Sequence, residues 1–113
     1  MCIRDSFGHF GIEWDLTGAG DADRERLAAW VRLYKRLRGL LHSGTVVRSD
    51  HPDPSLWVHG VVAGDRSEAV YALAAMATGV WSPPGRVRLT GLDPDSIYPV
   101  SYTHLTLPTI LRV

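Results

Sequence analysis

Between Asp21 and Gly44 the sequence keeps one hydrophobic period and after Gly44 it keeps another, so no single repeating architecture accommodates the chain. Leu27, Trp30, Val31, Tyr34, Leu37 and Leu41 fall on one stripe of a helix, while Glu25, Arg32 and Arg36 fall opposite. That spacing predicts an amphipathic helix over Asp21–His42. Asp21 or Asp23 is suited to capping its first free amides, and an acidic first turn suits the positive end of the dipole. Arg38 lands inside the stripe, where its stem can lie on apolar surface with the guanidinium reaching out. Basic residues crowd the last turns, and Gly44 terminates the helix.

Beyond Gly44 the apolar runs are short and separated by turn residues. Thr45–Arg48, Leu56–Ala63, Glu68–Met76 and Arg86–Thr90 read as strands, with SDHPDPS, GDRS, SPPG and GLDPDS between or after them. The pattern predicts an antiparallel meander, although the alanines of Ala72–Ala77 suit a helix as well. Ahead of the helix, FGHFGIEWDL (Phe7–Leu16) is apolar and aromatic, with Gly8 and Gly11 favouring a bend, and reads as a buried strand end and the loop after it.

The two ends of the chain are related through DNA. One choice of codons for Met1–Ser6 has a reverse complement that translates as Val100–His104, and a CCT codon for Pro99 extends the agreement. Both ends resemble translations of one element, the transposase mosaic end that attaches sequencing adapters, with Leu105–Thr109 as the adapter continuing outward. Residues 1–6 and 99–113 are therefore set aside from fold reasoning, as tags and scars are. Phe7–Tyr98 then carries the protein's own sequence, as residues 7–43 and 44–98.

This exclusion changes what composition implies. The only cysteine, Cys2, lies in the set-aside end, which removes a disulfide scaffold and a thiolate metal site. Without Arg4, Arg112 and Asp5, the twelve basic and twelve acidic residues become ten and eleven. A balance so near zero supplies no electrostatic case for nucleic acid or an anionic membrane. No apolar run approaches the roughly 20 residues of a membrane helix. Eleven arginines against the single Lys35 suggest a high-GC genome.

Few side chains suggest chemistry. Glu13 and Asp15, two apart, share one face of an extended segment, and a retaining glycosidase needs paired carboxylates about 5 Å apart. The plainer reading, preferred here, has them bracing the loop before the helix. His9, His42, His51 and His59 lack the close pairing of a zinc site, and His104 lies in the set-aside end. Trp57 and Trp81 offer flat faces for sugar stacking, but tryptophan in a small β domain more often fills its core. The arginines around Lys35 read as the solvated face of the helix. No catalytic residue and no metal ligand is assigned.

Taken in order, FGHFGIEWDLT, LAAWVRLYKRLRGLLHSG, LWVHGVVAGDRSEAVYAL and RVRLTGLDPDSIY resemble the C-terminal end of bacterial α-galactosidases of glycoside hydrolase family thirty-six. The resemblance implies an α/β barrel end followed by an antiparallel β-sandwich, so that the piece alone looks α+β. Phe7 to about Asp15 would end the eighth strand of a (β/α)8 catalytic barrel, Asp21–His42 would be its eighth helix, and residues from Thr45 would begin a truncated C-terminal sandwich. It also implies hydrolysis of terminal α-linked galactose from melibiose, raffinose and related sugars with retention of configuration. One aspartate would act as nucleophile and a second as acid and base, both upstream of this piece, which would itself be inactive. No cofactor is implied; the parent would be a cytoplasmic enzyme, often a homo-oligomer, acting on galactoside oligosaccharides.

Two alternatives stand beside this reading. One is a noncatalytic carbohydrate-binding β module, which requires an exposed aromatic patch. The other keeps the fold but changes the reaction, to an α-N-acetylgalactosaminidase or a galactosyl transferase. Residues 1–6 and 100–113 are expected to add no packing to the native enzyme, although Ser101–Leu107 alternates well enough to pair as a strand.

Overall fold

A computed structural model of the chain describes residues 8–78, 85–104 and 109–112. They form two compact units, Met1–His42 and Ser43–Val113.

The first unit contains a short 3-10 helix, Leu16–Gly18, and α1, Asp21–Ser43. The first helical hydrogen bond runs from the Arg24 amide to the Gly20 carbonyl at 3.0 Å, which makes Gly20 the N-cap. Asp21 and Asp23, predicted as caps, instead lie within the first turn, where their charge still meets the positive end of the dipole. The buried line of α1 is Leu33, Leu37, Leu40 and Leu41. Leu27, Trp30, Val31 and Tyr34 of the predicted stripe are only half-buried, and Arg38 is exposed. Burial therefore concentrates on the C-terminal half of α1 and turns slightly about its axis relative to the expected stripe.

The strand expected within Phe7–Leu16 does not form. Gly8–Asp15 carries no strand and is exposed apart from half-buried Phe10, while Phe7 lies outside the described residues. A strand exists by virtue of its ladder, and no described segment lies beside this one to pair with it.

The second unit is one antiparallel sheet of five strands in the order β1-β2-β3-β5-β4, comprising β1 (Thr45–Ser49), β2 (Leu56–Val62), β3 (Ala69–Ala75), β4 (Ser101–His104) and β5 (Thr109–Arg112). The first three correspond to the predicted strands, and the alanines of β3 are strand because each faces a β2 residue, from Val62↔Ala69 to Leu56↔Ala75. Ala69, Val70, Tyr71 and Ala72 are at most 1 % exposed, so both faces of β3 are covered. Strands buried on both faces read as continuous apolar runs, and that lack of alternation is what left helix open as an alternative.

Arg86–Thr90, the fourth predicted strand, joins no ladder. Its tie to β1 runs through side chains instead: the Ser49 hydroxyl donates to the Arg88 carbonyl at 2.7 Å, and the Thr90 hydroxyl donates to the Arg48 carbonyl at 3.1 Å. The chain from Leu89 to Tyr98 lies over one face of the sheet as a strap. Leu89, Leu92 and Tyr98 pack with Val47 and Leu73 on a core of Val62, Ala69 and Tyr71. Among the described residues the strands form a single sheet, and the second layer that a sandwich needs is not among them.

Two glycines are fixed by this packing. A Cβ on Gly60 would strike the Tyr71 ring and lie 2.6 Å from the Val70 carbonyl oxygen, because the ring crosses directly over Gly60, its partner in the β2–β3 register. Gly91, where the strap turns, has φ of 91°, and a Cβ there would lie 3.0 Å from Val47. The Ser101 alternation does pair, over Ser101–His104 with β5, and β5 in turn lies against β3.

Candidate functional site

The stretch from Gly8 to Gly18 holds the paired carboxylates, and contacts with α1 position it. Phe10 stacks on Tyr34 with ring centroids 5.3 Å apart and planes 27° apart. His9 meets His42 edge-on at 5.5 Å. His42 Nε2 lies 3.0 Å from both the Gly8 carbonyl and the Tyr34 hydroxyl. One ring nitrogen carries either a hydrogen or a lone pair, so the tautomer decides whether Nε2 donates to the Gly8 carbonyl or accepts from the Tyr34 hydroxyl. Further along, an Arg24 guanidinium nitrogen donates to the Leu16 carbonyl at 3.4 Å. Ile12 and Leu16 line an open apolar groove of about 670 Å³ together with Leu27, Ala28 and Val31 of α1.

The two carboxylates are not equivalent. Asp15 accepts from the Thr17 amide at 2.9 Å and the Thr17 hydroxyl at 2.6 Å, and so caps the 3-10 helix. The hydroxyl, and then the amide, hold its carboxyl below the usual aspartate range by stabilising the charged form. Glu13 is exposed beside exposed Trp14. Asp15 is thus committed to bracing the loop, and an ionised, doubly bonded carboxylate is a poor proton donor.

The other sequence candidates are dispersed. His51 accepts from the Asp53 amide at 3.1 Å, and His59 sits buried in β2 with its ring 4.8 Å from that of Trp57. Among the described residues no three His, Cys, Asp or Glu side chains gather as a metal site would. Trp57 is half-buried against His59, and Trp81 lies outside the described residues. Arg32, Lys35, Arg36 and Arg38 are exposed along α1. Among the described residues no helix is long and apolar enough to cross a membrane.

One recurring device was present in the sequence but unrecognised there, an aspartate followed two residues later by serine or threonine. Asp53 accepts from the Ser55 amide at 2.9 Å and hydroxyl at 2.6 Å, and Asp65 accepts from the Ser67 amide at 3.0 Å and hydroxyl at 2.6 Å, as Asp15 does from Thr17. In each case the hydroxyl first and the amide second hold the carboxyl below its ordinary range. Asp93 is a variant, accepting from the Asp95 amide and the Ser96 hydroxyl, with the same direction of shift. These are turn-forming bonds of short polar side chains, and they account for four of the carboxylates as structural.

No family model matches the chain. It is 36% identical over 92 residues to an α-galactosidase of Escherichia coli, covering 81% of this chain and 13% of that protein. It is 31% identical over 96 residues to the α-galactosidase AgaA of Geobacillus stearothermophilus, covering 82% of this chain and again 13% of the relative. The crystal structure of the GH36 α-galactosidase AgaA from Geobacillus stearothermophilus superposes with a TM-score of 0.76 at 24% identity, covering 95% of this chain and 18% of that one. The chain therefore spans about an eighth of the length of these curated relatives, and within that span it is a homologue of the α-galactosidases.

Proposed function

We propose that this chain is a C-terminal piece of a bacterial α-galactosidase that removes terminal α-linked galactose from oligosaccharides such as melibiose and raffinose, with retention of configuration. The observation that carries the reading is the 36% identity over 92 residues to the Escherichia coli enzyme, a length equal to that of Phe7–Tyr98. In this reading Phe7–Ser43 closes a (β/α)8 barrel and Gly44–Tyr98 starts an antiparallel sandwich. Residues 1–6 and 99–113 are translated adapter. The nucleophile and the acid/base aspartates belong to the absent part of the barrel, and Asp15, tied to Thr17, is neither. The enzyme would be cytoplasmic and homo-oligomeric, with no cofactor.

The test is to amplify outward from the DNA encoding Phe7–Tyr98 and to express the complete frame. A long upstream barrel, hydrolysis of melibiose by the product with the α-anomer of galactose released first, and a continuation after Tyr98 unlike VSYTHLTLPT are expected. A complete frame that leaves α-galactosides untouched would overturn the assignment.

A further inference from the structure

The chain contains two Asp–Pro bonds, Asp53–Pro54 and Asp93–Pro94. An aspartate ahead of proline carries its own nucleophile, because a side-chain carboxylate oxygen can close a five-membered ring on the main-chain carbonyl carbon of the same residue. Nucleophile and target then react as one molecule. The leaving group is the prolyl nitrogen, a tertiary amide nitrogen without an N–H, which takes a proton more readily than a secondary amide does. Both bonds share this chemistry, and the fold sets them apart.

They sit in turns of the same design. The Asp53 carbonyl accepts from the Leu56 amide at 3.1 Å and the Asp93 carbonyl from the Ser96 amide at 3.3 Å, so each reacting carbonyl has a donor on the oxygen where negative charge develops. Their surroundings differ. Asp53 is 8 % exposed, its Oδ1 accepts at 2.9 and 2.6 Å from Ser55, and the Met76 amide, next after β3, fastens the loop by donating to the Ser55 carbonyl at 2.7 Å. Little water reaches that carboxyl. Asp93 is only half-buried, Pro94 to Ile97 after it are exposed, and its oxygens accept singly, Oδ1 from the Asp95 amide at 3.1 Å and Oδ2 from the Ser96 hydroxyl at 2.9 Å. Each oxygen keeps a lone pair for attack. The Asp95 amide, then the Ser96 hydroxyl and to a smaller degree the Arg66 charge, hold this carboxyl below the ordinary aspartate range, so it stays an ionised nucleophile in more acid solution.

We propose that Asp93–Pro94 is a self-scission site of this protein in mild acid, cleaved ahead of Asp53–Pro54 because its carboxyl is less buried and less tightly bonded. The Asp93 carboxylate oxygen adds to the Asp93 carbonyl carbon, and the C–N bond breaks as the prolyl nitrogen takes a proton from the acid and leaves as a secondary ammonium. One water then opens the cyclic anhydride, leaving Asp93 as a free C-terminus. The cut strap stays fastened, because the Tyr98 hydroxyl, downstream of the break, accepts from the Asp93 amide at 3.1 Å and donates to the Arg66 carbonyl at 2.8 Å, both upstream. The two pieces therefore separate only on unfolding.

The test holds the full chain at about pH 3, follows its fold by circular dichroism, and weighs the products by mass spectrometry after denaturation. Fragments 1–93 and 94–113 are expected to accumulate at least about fivefold faster than 1–53 and 54–113, with the elution volume of the undenatured sample unchanged and the difference lost in urea. Pro94→Ala leaves the donors to Asp93 in place but makes the leaving group an ordinary secondary amide, and should remove this cut. Scission first or equally fast at Asp53–Pro54 in the chain without urea would overturn the proposal, as would a cut after Asp93 that persists unchanged in Pro94→Ala. Neither rate depends on hydrolysis of α-galactosides, so the function proposed above stands or falls separately.

Discussion

Gly60 and Arg66 fail in opposite ways to be interchangeable with other residues. At Gly60 the backbone conformation is ordinary but the space is filled by the Tyr71 ring, whereas Arg66 has a φ of 57°, left-handed, with the turn's geometry setting the conformation. The Arg66 amide donates to the Ala63 carbonyl at 2.9 Å, and its own carbonyl accepts from the Tyr98 hydroxyl at 2.8 Å, so two backbone bonds hold it there. Gly60→Ala is expected to cost about 1–3 kcal/mol through overpacking, read as a lower urea midpoint with unchanged slope. Arg66→Gly keeps both backbone bonds and removes the Cβ penalty; a gain of up to about 1 kcal/mol is expected, while Arg66→Val, β-branched at positive φ, lowers the midpoint. A midpoint for Arg66→Gly below that of the parent chain would mean that the guanidinium, not the backbone, matters at this position. Neither requirement was visible in the sequence. The GDRS turn was legible from Gly64 and Asp65, but which of its residues turns left-handed depends on the register of β2 and β3, and the ring over Gly60 on a partner eleven residues away.

Turns and strap carry the pH dependence of the elements. Asp15, Asp53, Asp65 and Asp93 all have carboxyls held below the usual aspartate value by hydroxyl and amide donors. A carboxyl lowered in the folded state stabilises fully above its unfolded value of 3.8, and that contribution is lost as pH falls through the folded value. Acid should therefore loosen the Gly64–Ser67 turn only below about pH 4. The Asp65→Asn variant, which keeps one accepting oxygen without a titrating charge, should show a flatter fall in melting temperature between pH 4 and pH 2; an identical fall would remove Asp65 from the account. At the alkaline end the sign is reversed. The Tyr71 hydroxyl donates to the Thr90 carbonyl at 2.6 Å, and burial, with a smaller effect of Tyr98, pushes its pKa from 10.0 up to about 12. Folding then favours the protonated phenol, so this stability is complete below pH 10 and is lost as pH rises through about 12. Tyr71→Phe should cost about 1 kcal/mol at neutral pH by leaving the Thr90 carbonyl without its donor, and should abolish that alkaline loss. Denaturant midpoints from pH 7 to pH 11.5 decide it, and a loss of equal steepness in the variant would assign the alkaline transition to another group. The strap that this hydroxyl anchors was predicted as a strand because Arg86–Thr90 alternates. Alternation identifies a face to be covered, but a ladder needs a free edge in register, and here side chains made the connection instead.

At the scale of the molecule, the helix and the first three strands were legible because each is encoded by its own residues, in a 3.6-residue stripe or in apolar runs bounded by turn formers. What was not legible depends on neighbours. Gly8–Asp15 has the composition of a buried strand but lies largely exposed, and among the described residues no strand pairs with it. The candidate site shares this limit: Asp15 bonded to Thr17 is a local event that a D-x-T spacing announces, whereas no spacing announces the exposure of Glu13 and Trp14. The same reasoning ranks the two units in stability. β2 and β3 contain Val58, Val61, Val70 and Tyr71 at 1 % exposure or less, whereas the N-terminal half of α1 borders an open groove and no residue of α1 before Leu33 is buried. Isolated helical turns are marginal in water without an apolar face to rest on. Amides of Asp21–Trp30 are therefore expected to exchange well before those of Val58–Val62 and Val70–Leu73, and the chain alone is expected to leave 4-nitrophenyl α-galactoside unhydrolysed. Hydrogen exchange read by mass spectrometry, with an activity assay on the same sample, covers both expectations. Equal protection across helix and sheet would show that α1 needs no further cover, and turnover by this chain would place the catalytic carboxylates within it, with Glu13 the first to replace.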